Sequence, residues 1–384
     1  MTIRVSLLVD DPGKRAHGNA VSRLALGLAL TGSAEPTLVC YSDDPAPTWL
    51  PPQVRVHRLG VTRATRALPP LISYLRTEQP DVLVTRQVHA NFVGLAALAL
   101  TALPSRWHGK LVLVQDHPIR LSHAANWRDN KWLAKATYRF ADGVISPSPA
   151  VREDIVRWCG LNPAAAAVVP NPIPKFVGGP GPAPHPWLRD GGPPVFVHTS
   201  NLTPWKRADL LIDAFAELSH EHDVRLLIVG EGTGRRGAVE RISRRGLQAR
   251  AQAVGWVADP LEYAARAQAF VLASDEEGFA QVLTEAMSVG CPVITTDAEG
   301  GGPRFVTRDG ACGLLVPMGD KAGLVAAMRR MLDPDLRERY SELGLRRAES
   351  LSPEACAEAL IEFLSARLGC GSELRERTSG KRRS

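Results

Sequence analysis

The residues best suited by type and spacing to do chemistry lie in the stretch 274–294, S-D-E-E-G-F-A-Q-V-L-T-E-A-M-S-V-G-C-P-V-I. Asp275, Glu276 and Glu277 follow an apolar run at 269–272, and a helix-forming run at 282–289 follows them. A strand, an acidic turn and a helix N-terminus in that order put backbone N–H groups without intrahelical partners beside carboxylates. Gly278 is expected to take positive φ at the turn, aiming the N–H groups of Ala280, Gln281 and Val282 at an anion. Glu285 lies one helical turn further on and can share the mouth with Glu277. N–H donors suit a diphosphate and carboxylates suit hydroxyls, so a sugar nucleotide is the expected ligand. For either glutamate alone, a carboxylate favoured by the helix dipole is explanation enough.

The elements that position this stretch follow from hydrophobic patterning. The apolar run at 5–9 has no polar alternation, as expected of a strand buried on both faces of a parallel sheet. A polar loop, 10–20, leads from it into a helix at about 21–30, so Gly18 and Asn19 stand at the carboxyl end of the first strand, where open α/β sheets bind ligands. Strand-like and helix-like runs then alternate at 37–40, 54–59, 66–78, 82–86, 95–100, 111–115, 131–140, 144–145 and 149–158, closing at 168–169. The rhythm implies a doubly wound α/β sheet. At 170–194 it breaks into a proline- and glycine-rich segment, expected to be an extended linker. It restarts at 195, with strands expected at 195–197, 226–229, 253–254, 270–272, 293–294 and 314–316.

We therefore expect an N-terminal Rossmann-like domain at 1–170, a linker at 171–194 and a second Rossmann-like domain at 195–350. A helix at 351–371 is expected to cross back to the first domain, before a disordered basic tail at 372–384. A length of 384 residues suits two such domains.

Composition narrows the function. A net charge of +6 suits an anionic ligand or surface. No helix-turn-helix, zinc-finger or ribonucleoprotein pattern is present, so nucleic acid is not expected as a partner. The six cysteines, scattered without C-x-x-C spacing, read as reduced thiols rather than a disulfide frame or zinc site. No apolar run is long enough to span a bilayer and the start lacks a signal-like region, so a cytoplasmic location is expected, with the inner face of the cell membrane as an alternative.

The second half resembles glycosyltransferase family 4, retaining sugar-nucleotide transferases of the GT-B fold. The resemblance rests on E-G-F-A-Q-V-L-T-E from Glu277 to Glu285, the lysine loop S-N-L-T-P-W-K-R at 200–207, L-L-I-V-G-E-G at 226–232, Gly301-Gly302-Pro303 and G-L-L-V-P at 313–317. In the first half P-D-V at 80–82, D-G-V-I-S at 142–146 and V-P-N-P at 169–172 look like its weaker landmarks. The chain departs from the family pattern in three places: Ser200-Asn201 replaces the usual Gly-Arg, Ala280 the second glycine of E-G-F-G, and Phe305, after Arg304, the usual glutamate.

The resemblance implies two Rossmann-like domains facing a cleft and assigns roles. Lys206 would neutralise the donor diphosphate, with Arg207 as the nearest substitute for the missing cation. Glu285 would hold the ribose, and Glu277, Gly278, Phe279 and His117 the donor sugar, with Asp116 as another polar contact. Glu277, His117 and Lys206 are thus the catalytic candidates. The nucleobase would meet backbone around Gly255, Trp256 and Val257. His89 and Asn91, with Gly18 and Asn19, are candidates for the acceptor side, and a structural role fits His89 and Asn91 equally well. No dedicated nucleophile, metal or cofactor is expected, because Lys206 and helix N–H groups would carry the diphosphate charge.

The implied reaction moves a hexose-type sugar from a nucleoside-diphosphate sugar to a hydroxyl-bearing acceptor, by a monomer or weak homo-oligomer. A sugar-nucleotide epimerase on the same scaffold is the rival, and a non-catalytic sugar-nucleotide-binding subunit a third reading. Residues 55–76 carry Arg55, Arg58, Arg63, Arg66 and Arg76 with Leu68, Leu71, Ile72 and Leu75. They fit a solvated face, a loop for an acidic acceptor or a peripheral membrane contact.

Overall fold

Apolar runs without alternation require cover on both faces, and two parallel sheets flanked by helices supply it. In a computed structural model the chain is described at residues 2–9, 16–43, 45–101, 107–120, 127–173 and 182–369, with backbone only at 16–19, 65, 127–130 and 368. It divides into two compact units, one comprising residues up to Pro172 with those from Ser352 onward, the other Ile173–Leu351.

In the first unit the elements are β1 (Ile3–Val9), α1 (Ala16–Thr31), β2 (Ala34–Cys40), β3 (Arg55–Arg58), α2 (Leu68–Glu78), β4 (Val82–Arg86), α3 (Val88–Thr101), β5 (Lys110–Val114), α4 (Trp127–Thr137), β6 (Gly143–Ser146), α5 (Pro149–Cys159) and β7 (Ala166–Val168). The apolar run at 95–100 is helical, inside α3. The sheet order is β3-β2-β1-β4-β5-β6-β7, with parallel pairing throughout. Chain direction across the sheet reverses between β1 and β4, the switch point where doubly wound sheets open a crevice.

The second unit runs β8 (Val195–Thr199), α6 (Ala208–Glu221), β9 (Arg225–Val229), α7 (Arg235–Arg244), β10 (Ala251–Gly255), α8 (Leu261–Ala265), β11 (Ala269–Leu272), α9 (Gln281–Ser288), β12 (Val293–Thr296), α10 (Gly302–Thr307), β13 (Leu314–Val316), α11 (Lys321–Arg330) and α12 (Pro334–Glu349). Its parallel sheet, ordered β10-β9-β8-β11-β12-β13, has its switch point between β8 and β11. Helix α13 (Pro353–Leu368) belongs to the first unit, where Cys356, Ala357, Leu360 and Leu364 join Val5, Leu24 and Leu28 in one core.

The segment expected to be an extended linker is described only in part. Its described part, from residue 182, packs on the second unit: Leu188 is buried in that core and the Tyr263 hydroxyl donates to Pro184 O. Ile173 N–H donates to Leu351 O, tying the unit's entry to its exit. Residues 174–181, the loop at 10–15 and the tail at 372–384 lie outside the described residues. In the basic stretch 55–76 the apolar side chains turn inward. Leu71 and Leu75 are fully buried, and Leu68 and Ile72 pack against the same core.

Candidate functional site

The loops after β8 and β11 flank the switch point of the second sheet, and each carries one member of an ion pair. After β8 a single 3-10 turn, Pro204–Lys206, ends at Arg207, whose φ of 49° starts α6. After β11 comes the acidic loop. Lys206 Nζ donates to Glu277 Oε1 at 2.5 Å, and Ser274 Oγ donates to the same oxygen at 2.8 Å. The carboxylate side chain is 7% exposed and the ammonium side chain 17%. A carboxylate this dry needs such partners. An ammonium has three donors, so Lys206 keeps two for a ligand.

Backbone contacts hold the acidic loop in place. Glu277 N–H donates to Glu299 O, and Gly302 N–H to Glu277 O. A Cβ on Gly302 would lie 2.5 Å from Phe279 N, so the Gly-Gly-Pro element works by close backbone approach. Thr296 Oγ1 donates to Ser274 O from the next strand. The lysine loop is braced likewise, since Leu202 N–H donates to Glu231 O and Gly234 N–H to Leu202 O.

Positive φ falls on Ala280, at 62°, and not on Gly278. Ala280 is the N-cap of α9 and offers no side-chain cap, so the N–H groups of Gln281 and Val282 at the first turn are not capped by it. A glycine would take this left-handed conformation freely; an alanine bears about 1–2 kcal/mol of strain. Glu285 stands one turn along α9, half-buried, and accepts from Gln281 Nε2 at 3.0 Å.

Two sequence assignments change here. Phe279 is 4% exposed, its ring 6.3 Å from that of Phe305 inside the core, so its side chain is not a free sugar contact. Arg207 is committed to Asp209 and to both oxygens of Asp275, the latter at 3.1 Å. It is therefore not a free diphosphate cation. Phe305, where the family pattern has a glutamate, packs between Phe279 and the Arg347 guanidinium, 4.9 Å from its ring. Gly255, at φ 93°, ends β10 and accepts from Gly230 N–H, while Trp256 beside it is 74% exposed and Val257 half-buried.

Beneath the ion pair lies His198, fully buried on β8. Val271 O can only accept, so His198 Nδ1 carries the proton and donates to it at 2.9 Å, while Ser200 Oγ donates to Nε2 at 2.8 Å. Burial lowers its pKa to about 4, against the hydrogen bond to Val271 and with help from the Lys206 charge. The ring is thus a neutral brace for the start of the lysine loop. The sequence signal was one histidine in the apolar run V-F-V-H-T.

In the first unit, His117 is exposed just beyond β5. Its carbonyl accepts from Gln115 Nε2 at 2.9 Å. Gln115 Oε1 in turn accepts from Tyr138 OH, and Tyr138 OH accepts from Asn91 Nδ2. Asn91 is 0% exposed, donates also to Val114 O and accepts from Thr85 Oγ1. It is therefore a core bracket for the His117 loop and not an acceptor contact. Burial raises the Tyr138 hydroxyl pKa, which keeps the network neutral. Asp116 forms a two-point pair with Arg86, at 2.9 and 2.7 Å, and Arg86 also donates to Asn171. Arg86, 6% exposed, was missed by sequence reasoning, and its one signal is a cation ending the strand V-L-V-T-R. His89 is exposed near the start of α3. Gly18 and Asn19 lie in the first turn of α1 by backbone, and the Asn19 side chain falls outside the described residues. Among the described residues no cluster of His, Cys, Asp or Glu could hold a metal ion.

Residues 18–175 match the family described as Glycosyltransferase Family 4, and residues 193–334 match Glycosyl transferases group 1. A Campylobacter jejuni N-acetylgalactosamine-N,N'-diacetylbacillosaminyl-diphospho-undecaprenol 4-alpha-N-acetylgalactosaminyltransferase is 28% identical over 236 residues, 61% of this chain and 63% of that protein. The lipopolysaccharide core biosynthesis glycosyltransferase LpsE of Rhizobium meliloti is 30% identical over 176 residues, 45% of this chain and 50% of that protein. The chain thus spans between half and two thirds of the length of these curated relatives. HepE from Anabaena, in complex with UDP, has a TM-score of 0.73 at 21% identity, over 95% of this chain and 100% of its own. Sucrose-phosphate synthase from Thermosynechococcus elongatus reaches 0.75 at 22%, over 96% and 100%. At these identities the likeness is one of fold, two Rossmann-like units of the GT-B type. None of these proteins is an epimerase, and that rival reading has no support among them.

Proposed function

We propose a reaction from one premise: the chain belongs to the glycosyltransferases of family 4. It transfers a hexose-type sugar from a nucleoside-diphosphate sugar to a hydroxyl-bearing acceptor, with retention at the anomeric carbon and without a metal. The observation that carries this reading is the Lys206–Glu277 pair at the switch point of the second sheet, next to the N-terminus of α9.

Lys206 and the N–H groups of Gln281 and Val282 receive the diphosphate, whose negative charge grows as the sugar leaves. Glu277 holds the ammonium in place and presents its carboxylate to the sugar hydroxyls, while Glu285 takes the ribose. The bond from the anomeric carbon to the diphosphate oxygen breaks, and the acceptor oxygen bonds to that carbon on the same face. The acceptor proton passes to the departing phosphate oxygen, so no protein nucleophile is needed. The share of His117 rests on the resemblance alone.

HepE is recorded with UDP and with UDP-glucose, which makes UDP the first nucleotide to try. A thermal-shift panel of UDP, GDP, ADP and dTDP tests the donor class, since a ligand at 100 times its Kd stabilises by about 2.7 kcal/mol. No shift with any of the four, at concentrations that saturate other donor sites, refutes the reading. Proton NMR of the product on a simple alcohol reports retention or inversion.

A further inference from the structure

Outside the donor site, one surface gathers exposed aromatic and basic side chains, with Trp132 resting 5.6 Å from the Trp158 ring. Residues 131–140, K-W-L-A-K-A-T-Y-R-F, form the second half of α4 and a 3-10 turn, Tyr138–Phe140. Their inward face is Ala134 and Tyr138, 2% and 1% exposed in the core. Trp132, Leu133 and Phe140 point outward, at 64%, 44% and 63% exposure. Single exposed apolar residues are ordinary, but three this large within nine positions make a patch.

The charges within 131–140 are all positive. Lys135 Nζ lies 5.5 Å from the Trp132 ring and 5.3 Å from Trp158, and the Arg139 guanidinium lies 5.1 Å from the Phe140 ring. Lys131 is half-buried with its ammonium donating to Arg120 O, and Arg157 is exposed on the neighbouring α5. Of the acids on α5, Asp154 is tied to Arg120 and Ile119 N–H, leaving Glu153 exposed. Exposed indole and phenyl rings beside cations match an anionic bilayer surface, which takes aromatic rings at headgroup depth and holds basic side chains at its phosphates.

We infer that α4 and the turn after it dock peripherally on an anionic lipid bilayer, with Trp132 and Phe140 inserted among the headgroups and Lys135 and Arg139 on lipid phosphates. The basic stretch 55–76 lacks the second ingredient, since Leu71 and Leu75 face inward. No helix among the described residues is long and apolar enough to cross a membrane, so the contact is shallow. The inference is independent of the donor site, and either can fail alone.

Flotation of the full chain with vesicles of equal parts phosphatidylcholine and phosphatidylglycerol, against phosphatidylcholine alone, is the test. Binding is expected to the mixed vesicles at low ionic strength and to fall with salt. Trp132→Ala with Phe140→Ala should weaken it about tenfold or more. Lys135→Glu with Arg139→Glu should weaken it roughly twenty-five-fold, about fivefold for each basic residue lost. Arg58→Glu with Arg63→Glu, the same change in net charge, should cost clearly less. All these side chains are exposed, and unchanged thermal melting verifies folding. Failure to bind either vesicle, full binding by the aromatic variant, or an equal loss in the Arg58/Arg63 control overturns the inference. So does concentration-dependent self-association abolished by the aromatic variant, which would make a second copy the occupant.

Discussion

Replacing Lys206 by methionine leaves the Glu277 carboxylate, 7% exposed, with Ser274 as its one remaining polar partner among the contacts described above. Removing one partner of a fully buried pair costs about 3–5 kcal/mol. The ammonium here is 17% exposed, so a loss of about 2–3 kcal/mol of second-unit stability is expected, or about 4–12 °C in its melting for a domain of this size. Glu277→Gln is gentler, about 1–2 kcal/mol, because the amide oxygen still accepts from Ser274 and Lys206 can turn to solvent. The double variant removes both charges and should lie within about 1 kcal/mol of the wild type, a coupling of at least about 2 kcal/mol. Two units need not unfold together, so hydrogen exchange at the buried amides of β8, β9 and β11 is the appropriate assay. Turnover should behave differently. The double variant regains stability but stays about a hundredfold or more below wild type, since the diphosphate has lost its cation. Strictly additive stabilities would refute the ion pair, and a double variant with wild-type turnover would refute the role of Lys206.

The remaining predictions use other parts of the molecule. His198, neutral in the fold with a pKa lowered to about 4 from 6.5, should make the second unit lose stability as pH falls through that window. The unfolded chain takes up a proton there that the folded one refuses, at up to about 1.4 kcal/mol per pH unit. His198→Gln should remove that slope, and an unchanged slope by urea unfolding would contradict the neutral brace. At Ala280, glycine should be close to neutral, as relief of strain at φ 62° offsets unfolded-state entropy and a lost methyl contact. Valine should cost over about 2 kcal/mol by the same melts. Asn91→Leu orphans the Thr85 hydroxyl and the Val114 carbonyl and should cost about 2–4 kcal/mol by calorimetry while leaving the UDP thermal shift intact. Transfer activity should survive excess chelator; its abolition and rescue by magnesium or manganese would overturn the metal-free mechanism.

The sheets were legible because strands buried on both faces show as unbroken apolar runs, such as V-L-V-T-R and L-L-I-V. Helices with broad apolar faces, such as α6, were equally plain. Helix α7, R-R-G-A-V-E-R-I-S-R, buries only Ala238 and Ile242 and left no period to read. Asn91 was open between ligand contact and core by its place after a strand, Phe279 was a sugar contact by resemblance, and burial placed both side chains in the core.

By itself the sequence determined the two α/β sheets and the loops that carry Lys206, Glu277 and Glu285, because strand order along the chain dictates which loops stand at strand ends. It also supplied the family, through the order and spacing of its motifs. Only the tertiary structure decided that Lys206 and Glu277 are bonded to each other, that Arg207 is committed to Asp209 and Asp275, and that Ala280 rather than Gly278 turns the chain into α9. Partner choice among charges depends on distances across strands that chain order does not set. A pattern can say which residues reach a switch point, and packing says which of them are free there.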